Sequence, residues 1–535
     1  MNFLERAIEA LSPAWAAKRE HARAKLDLVR TVSNSGYSHH GASRTKTSTV
    51  SWNSSSKSPG EDITENLELM RERSRDLYAG GAPMGRGAIE RVVLNSVGPG
   101  LSLNCRVAGE YLGMSDEQAA EWERQVEREF GLWAESKDCD ISRQQNFYEL
   151  QNLCFRSVLV NGDALVLMPV NPLPDVLYDL RVGLVEGDRL NVPSPRPQGK
   201  IIDGGVELDG NGAPVAYWIA NRHPLAEQSG QPRLDWQPVP AFGKKTGRRN
   251  ILHLMPFERI GQHRGVPFLA PVIDTLKQLG RYTDAELMAA VVGGMYAIFF
   301  EHDIKDVEYG EEDYATDDGT EAPPGLEDLN LKEQMYGGAI DLPPGVEPKS
   351  LSPGRPNQAF DAFVMSLTRQ IGSALGIPAE LMFLHFTASY SASRGALLEA
   401  WKLFFYWRKW LATNLCQPIF FEWLCEAVLK GRVNAPGFFD DPMKAYAYSW
   451  AEWNGPTQGQ LDPLKEVKAA EARVQNGFST RQRETMELTG GDWELNHRQR
   501  VKEERMRRDA GLNEPTTGQA AKEEEKTDVD DTREE

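Results

Sequence analysis

Residues 253–290 have the sequence HLMPFERIGQHRGVPFLAPVIDTLKQLGRYTDAELMAA, in which a short apolar run, a polar loop and a long apolar helix follow one another. The run from Ile251 to Met255 has the length and composition of a buried strand. A polar loop with the pair Arg264-Gly265 follows, and a helical pattern with few charges begins near Pro267. Strand and helix periodicities alternate in the same way elsewhere between the two termini. The alternation predicts a mixed fold of the α+β class.

The clearest local signals lie between residues 84 and 220. Ser115, with Gln118 three residues later, is a capping box and predicts the start of a helix. Apolar residues recur in this helix at helical spacing and predict its buried face; they are Trp122, Val126, Phe130 and Trp133. The other elements predicted here are helices at 84–95 and 146–160, strands at 101–105 and in ALVLMPV (164–170), and a hairpin that turns at 209–212.

Composition limits the class of protein. The 535 residues are 40% hydrophobic, which is ample for several domains. A formal net charge of −18 argues against a protein that coats DNA by neutralising phosphates, but it leaves DNA possible as cargo. Five scattered cysteines without a CxxC pair indicate neither a disulfide framework nor a zinc site. No window approaches the roughly 18 apolar residues of a membrane span, so we expect neither export nor insertion.

Three segments have a strongly biased charge. Residues 1–57 contain nine Lys/Arg and four Asp/Glu and end in a Ser/Thr-rich stretch, which predicts a loose basic arm or, equally, a solvated tail without a partner. Residues 301–328 contain twelve acids and one lysine and are expected to form a solvated loop, because the DxDxDG pattern of a calcium loop is absent. Residues 522–535 contain eight acids and three bases and are expected to be disordered.

The helix predicted from Ser391 to Leu411 carries aromatic side chains on nearly all of its faces. Such a helix must be buried on several sides, which in a soluble protein favours packing against neighbouring subunits or a core. A base-stacking surface is the weaker alternative, because only Lys402, Arg408 and Lys409 accompany the rings. The candidate subunit-interface residues are Trp401, Phe404, Phe405, Trp407 and Trp410.

The sequence contains no recognisable catalytic constellation. A phosphate-binding G-x-x-x-x-G-K-[ST] loop is absent, and the segment 243–247, GKKTG, lacks its spacing. Neither a G-x-S-x-G elbow nor an H-E-x-x-H pair occurs. His253 and His263 with Glu258 are a weak candidate for a metal site, and structural histidines are the better interpretation. We therefore predict a protein that is not an enzyme and has no cofactor, metal or catalytic residue.

Several long stretches resemble the lambda-type bacteriophage portal family. Residues 253–290 are similar to its signature of a strand, an arginine-glycine turn and a helix that ends in a tyrosine-aspartate-alanine-glutamate run. In that run this chain has Thr283 between Tyr282 and Asp284. The other similar blocks, in the family's order, are 185–193, 205–219, 337–364, 374–404 and 453–494. The resemblance extends over about residues 60–510. One departure is Ser389, where the family often has Asn before the Tyr-Ser pair.

The resemblance implies a portal protein that forms a ring, expected to be a dodecamer, at one capsid vertex. This head-tail connector ring nucleates procapsid assembly and conducts double-stranded DNA during packaging and ejection. The implied partners are the terminase large subunit, the major capsid and scaffolding proteins and the head-tail adaptor proteins, with no membrane. The implied location is the virion, after assembly in the host cytoplasm. The rivals are a tail or baseplate ring protein and a DNA-processing terminase or nuclease, the latter disfavoured by the missing catalytic motifs.

Matching the family's blocks to the chain implies an α+β multidomain portal fold. It has a mixed α/β wing, an α-helical stem, a small α/β clip, in which 445–450 is strand-like, and a helical C-terminal crown. The implied segments are the basic arm (1–57), the wing (58–388, with the acidic loop 301–328), the stem helix (389–412), the clip (413–460), the returning stem helix (461–478), wing and crown helices (479–515) and an acidic tail (516–535).

Basic residues on and after the returning helix are the candidates for contact with DNA. They are Lys465, Lys468, Arg481 and Arg483. If this region borders the channel, as the resemblance suggests, each base would touch phosphates transiently against an acidic wall. The alternative, equally supported, is that these are surface ion pairs, in which Glu466 and Glu471 support neighbouring bases.

Overall fold

The computed structural model describes most of the chain between residues 57 and 512. The described residues are 15, 18–19, 21–26, 51–52, 54, 57–226, 233–295, 299–302, 346–349, 357, 359–385, 389–459 and 463–512. The contacts divide the chain into two units, residues 1–65 and 66–535. No helix in these ranges is long and apolar enough to cross a membrane.

In the first unit residues 21–26 are helical, and α1 (Pro59–Thr64) is a short helix with proline in its first turn and the Ser58 hydroxyl accepting from the Glu61 amide. The second unit contains all the other elements named here. Up to residue 254 these are α2 (Leu67–Asp76), α3 (Pro83–Ser96), β1 (Ser102–Cys105), α4 (Gly109–Leu112), α5 (Asp116–Ala134), α6 (Phe147–Asn161), β2 (Ala164–Leu167), β3 (Gly183–Glu186), β4 (Ile201–Asp203), β5 (Val206–Leu208), β6 (Pro214–Ala220), β7 (Trp236–Pro240) and β8 (Ile251–Leu254).

From residue 273 onward helices dominate. The elements are α7 (Ile273–Met295), β9 (Phe299–His302), β10 (Val346–Lys349), α8 (Phe360–Leu375), α9 (Ala379–Phe383), α10 (Tyr390–Leu411), α11 (Gln417–Leu429), α12 (Pro442–Ser449), β11 (Ala451–Asn454), α13 (Pro463–Gln475), α14 (Arg481–Thr489) and α15 (Trp493–Asp509). Helices together with several small antiparallel sheets confirm the α+β class.

The sheets are small and antiparallel. In the three-stranded sheet β2 lies between β3 and β8, with Leu165 opposite both Val185 and His253. The second sheet is a meander in which β4, β5, β6 and β7 pair in sequence order. Its β5–β6 connection turns at 209–212, which confirms the predicted hairpin. The turns that precede β2 and follow β3 contribute to the buried network of charges described below.

The main core joins helices that are far apart in the sequence. The capping box at Ser115 and Gln118 forms as predicted, and it starts α5. Phe130 of α5 lies at the centre of an aromatic cluster, with its ring centroid 5.8 Å from Phe147, 5.6 Å from Phe420 and 5.1 Å from Trp423. Aromatic contacts at these distances add stability beyond the burial of apolar area. The core thus ties α5 and α6 to α11.

Residues 413–460, the segment predicted as the clip, contain α11, α12 and β11. Helix α11 lies inside the main core, and β11 pairs with β1, with Ser102 opposite Asn454. The strand expected at 445–450 is wrong, because these residues belong to helix α12 and its end. A proline at the first helical position and the Asp441 carboxylate, which accepts from the Met443 amide at 2.9 Å, start this helix.

Helices α7 and α8 lie on either side of two short strands in the sequence. The two helices contact each other, and β9 pairs antiparallel with β10, with Val346 opposite His302. Of the predicted acidic loop, only residues 301 and 302 are described, in β9, and residues 303–345 lie outside the described ranges. The tail at 516–535 and most of the basic arm at 1–57 also lie outside them.

The free edge of β1 is capped by two carboxylates of α5. Glu127 accepts from the Cys105 amide at 2.9 Å, and Glu123 accepts from the Val107 amide at 2.8 Å. Burial raises the pKa of Glu127 to about 7, although the Cys105 amide opposes the rise, and Asp492 raises the pKa further. Glu127 is therefore partly protonated near neutral pH, at the point where α15 begins.

Replacing Glu127 by Gln is expected to stabilise the unit at pH 8 and to have little effect below pH 4.5. The folded-state pKa lies above the ordinary 4.5, so folding takes up a proton and the wild-type stability falls as the pH rises from about 4.5 through 7. Gln keeps the acceptor for the Cys105 amide and removes the titration. The gain at pH 8 should be at most about 3 kcal/mol. Urea unfolding at several pH values measures it, and a gain independent of pH would contradict this explanation.

Candidate functional site

The arginine of the Arg264-Gly265 pair lies in a buried network of charges. Its Nε donates to Asp163 Oδ2 at 2.8 Å, and Arg71 Nη2 donates to Asp163 Oδ1 at 2.6 Å. The Arg264 guanidinium also donates to the carbonyl oxygens of Leu190 and Gly187, each at 2.6 Å. Asp163 and its two arginines are almost fully buried. The network therefore joins four distant parts of the sequence, at residues 71, 163, 187–190 and 264.

Glycines make this close packing possible. Gly162 has φ +92°, a conformation that other residues rarely adopt. A Cβ added at Gly265 would lie 1.9 Å from the Gly162 carbonyl oxygen. The glycine after Arg264 is thus required by contact with the backbone beside Asp163. The sequence pattern identified Arg264 and Gly265 as a motif, and the structure shows that their role within the subunit is to hold the fold together.

Asp163 is ionised in spite of its burial. Burial opposes ionisation, but Arg264 and then Arg71 outweigh it and hold the pKa of Asp163 well below its usual range. Burial also lowers the pKa of His253, whose Nε2 lies 3.4 Å from Asp163 Oδ2. The second histidine of the weak metal candidate, His263, is engaged elsewhere, with its Nδ1 2.8 Å from Asp203 Oδ2. The two histidines serve as partners of separate carboxylates.

One other group of possible metal ligands occurs among the residues that the structure describes. Glu186, Asp188 and His223 have ligand atoms within 4.8 Å of one another. Arg71 and Arg75 already form ion pairs with Asp188. A cation at this position would compete with two arginines, so the group is better explained as an extension of the buried network.

Helix α10 buries most of its aromatic side chains inside its own subunit. Trp401, Phe404 and Trp407 are 5%, 1% and 7% exposed and belong to the main core, while Trp410 is partly buried against it. Phe405 and Tyr406, by contrast, are 48% and 60% exposed. Of the five candidate interface residues, only Phe405 offers a large exposed surface to a neighbouring molecule. Tyr406 lies beside it and was not selected from the sequence.

A second exposed apolar surface lies on the loop after β8. Ile260 is 99% exposed and Phe257 is 72% exposed. The loop is fixed by the buried Gln262, whose Oε1 accepts from the Glu258 and Arg259 amides at 2.8 and 3.1 Å. A fixed loop that presents two large apolar side chains to water suits a contact with another molecule. Sequence patterns do not indicate it, because isolated apolar residues in a loop carry no periodicity.

The four candidate DNA-contacting bases are all exposed, and one of them, Lys465, lines a groove. Arg483 forms an ion pair with Glu487 at 2.9 Å, one turn along α14. Lys465 lines a groove of about 560 Å³ between α10, α13 and α14, together with Arg394 and Arg473. Lys468 and Arg481 lie outside that groove. The surface ion-pair alternative thus describes Arg483, while the position of the four residues relative to DNA stays a prediction.

Comparison with known proteins agrees with the family resemblance of the sequence. Residues 45–408, more than half of the chain, match the family model described as phage portal protein, lambda family. The chain is 25% identical to portal protein B of Escherichia phage lambda over 500 residues, which cover 88% of this chain and 90% of that one. It is also 25% identical to the portal protein of Escherichia phage N15 over 485 residues, with the same coverage.

Among solved structures, a chain in the neck of a native gene transfer agent particle, computed with C12 symmetry, is similar. It is 15% identical, with a TM-score of 0.41, and the match covers 79% of this chain and 93% of that one.

Proposed function

Because the chain belongs to the lambda family of phage portal proteins, we propose that it forms the ring at one capsid vertex through which DNA is packaged and released. The observation that carries this proposal is the family match over residues 45–408, together with two portal relatives that align over most of their length. The ring is a component of the virion, assembled in the host cytoplasm. Immunogold labelling of particles with an antibody to this chain should mark a single vertex, and labelling over the whole shell would contradict the proposal.

The proposed partners follow from the same role. The ring docks the terminase large subunit during packaging and the head-tail adaptor proteins afterwards. It meets the major capsid and scaffolding proteins during assembly, and double-stranded DNA passes through it. The formal charge of −18 supports a channel in which DNA slides, since a wall covered with cations would hold the phosphates. Co-purification of the terminase subunit with assembled rings tests the first of these contacts, and failure at low salt would count against it.

Two pairs of helices suit the stem of the proposed ring. The assignment from sequence blocks uses 389–412 and 461–478, but the first of these segments coincides with α10, which lies in the main core. Helices α7 and α8 flank the β9–β10 pair, so this part of the chain also has one helix before and one helix after a pair of strands. We favour this second pair for the stem and the region of 299–349 for the clip. An electron-microscopy reconstruction of the ring in which α10 lines the channel would exclude α7 and α8 as the stem.

Single replacements of Lys465, Lys468, Arg481 and Arg483 by Ala are expected to leave the rings intact, because exposed charges contribute little to folding. If these bases border the channel, each replacement alters packaging or the retention of DNA. Arg483 should show a smaller effect than Lys468 and Arg481, since Glu487 already neutralises it at 2.9 Å. The length of packaged DNA in assembled particles measures the outcome. Normal packaging and retention in all four variants would remove these residues from the channel.

We further propose that the ring itself hydrolyses no ATP and cuts no DNA, so that the terminase supplies the energy. The absence of a phosphate loop from the sequence supports this role. Purified protein with magnesium should show no turnover above buffer. Activity that persists through purification and disappears when a single carboxylate is replaced would overturn the proposal.

A further inference from the structure

The last helix that the structure describes, α15, lies almost uncovered. It contains no buried residue, and every position from Leu495 to Leu512 is exposed. A helix of 17 residues is marginal in water when no partner packs against it, because nucleation is unfavourable. The Asp492 side chain caps its first turn. One cap does not replace the missing tertiary contacts, so a partner for this helix is expected.

The charges of α15 indicate the chemistry of that partner. Two of its six bases have carboxylates nearby, Arg498 at 3.6 Å from Glu494 and Arg507 at 3.7 Å from Glu504. The other four, Arg500, Lys502, Arg505 and Arg508, form no ion pair within the described part of the chain. Arg498, Lys502 and Arg505 follow the spacing i, i+4, i+7 and share one face. The same face also carries Glu494 and Asp509, so the helix, with six bases and four acids, is basic overall by a formal net charge of +2.

Helix α15 ends in a closed turn. Gly511 has φ +67°, and the Leu512 amide donates to the Arg507 carbonyl at 3.0 Å. This is the Schellman arrangement, which satisfies carbonyl groups of the last helical turn. Residue 512 therefore lies directly at the C-terminal end of the helix.

The remaining chain carries the complementary charge. Residues 522–535 contain eight acids and three bases. Nine residues, 513–521, connect them to Leu512, and a flexible linker of that length spans roughly 16 Å on average. The helix from Arg498 to Arg508 is roughly 15 Å long. The acidic segment therefore reaches all the bases of the helix to which it is tethered.

We propose that the acidic tail, residues 522–535, binds the basic surface of α15 in the same chain. The tail neutralises the four unpaired bases and stabilises the helix. Its tether gives it an effective concentration in the millimolar range, so a weak contact suffices. While it is bound, the helix does not hold the phosphates of DNA. The inference concerns the single subunit and does not rest on the proposed ring.

Hydrogen exchange of the α15 amides tests the contact. We compare the full chain with a chain that ends at Ala521, at low salt. The amides of 493–509 should exchange about tenfold faster without the tail. A synthetic peptide of residues 522–535 added to the shortened chain should restore the protection, and 1 M NaCl should remove it because salt screens such contacts. Equal exchange with and without the tail would overturn the proposal.

Two controls test which residues of α15 bind the tail and whether the charge of the tail is the basis of binding. A full chain with Arg500, Lys502, Arg505 and Arg508 replaced by Gln should exchange at one rate whether or not the tail is present. A peptide with its acids replaced by amides should restore nothing, and restoration by that peptide would exclude charge as the basis of binding. If truncation changes nothing while a 30-base-pair duplex slows exchange, α15 is a DNA-binding surface and the tail proposal is wrong.

Discussion

Replacing Asp163 by Ala is expected to lower the free energy of unfolding of the subunit by about 3–5 kcal/mol, enough to prevent accumulation of folded protein. The carboxylate is the shared partner of Arg71 and Arg264, which are 2% and 4% exposed. Its removal leaves two buried guanidinium groups without their counter-charge. Urea unfolding or the yield of soluble subunit measures the loss. The exposed Asp440, replaced in the same way, should change the stability by less than about 0.5 kcal/mol.

Asp163→Asn separates charge from shape. Asn fills the same volume, so a large loss in this variant assigns the effect to the missing charge, and a tolerated Asn would contradict our explanation. The pH dependence provides a second check. The pKa of Asp163 lies well below its ordinary 3.8, so its contribution is complete above that value and is lost only as the pH falls through the lowered pKa. The wild-type subunit should therefore keep the stability that this network provides until the pH is strongly acidic.

Two substitutions four residues apart on α10 are expected to have different effects. Trp401→Asp should impair folding of the subunit, and Phe405→Asp should impair assembly of the ring. Trp401 is 5% exposed in the main core, so a carboxylate there destabilises the subunit by several kcal/mol. Phe405 is 48% exposed, so Asp at this position should leave the subunit folded, and it should block ring formation if this side chain is buried between subunits. Thermal unfolding reports the first effect and light scattering the second. Rings of normal mass from Phe405→Asp would mean that α10 makes no subunit contact.

A matched pair of variants tests the loop after β8 in the same assay. Ile260→Asp is expected to leave the subunit folded, because Ile260 is 99% exposed and Gln262 fixes the loop without it. Loss of the ring with retained folding would place this loop at a subunit contact. Leu429, which is 74% exposed at the end of α11, provides the comparison. If Ile260→Asp and Leu429→Asp both assemble normally, the loop has another partner.

Local signals in the sequence predicted local structure well. The capping box at Ser115 and the turn at 209–212 depend on residues only a few positions apart, and both form as predicted. The alternating AYAYSW at 445–450 was misleading, because a period of two over six residues is too short to outweigh the helix start at Asp441 and Pro442. That start could have been recognised from the residues alone.

Contacts between distant residues could not be predicted in the same way. The partners of Asp163 come from residues 71, 253 and 264, and no spacing rule connects them. The pattern of α10 shows that its rings are buried but does not show which chain buries them. Trp401 and Trp407 therefore seemed equivalent to Phe405 in the sequence, and only the fold separates core from exposed surface.

Electron microscopy of the purified protein tests whether it is a DNA-conducting portal. We expect closed rings of identical subunits with a continuous central channel wide enough for duplex DNA, and with helices α7 and α8 beside that channel. A ring requires that each subunit offer two different complementary surfaces that close on themselves. Monomers at every concentration, open filaments, or rings without a continuous channel would contradict the assignment of this chain to a DNA-conducting portal.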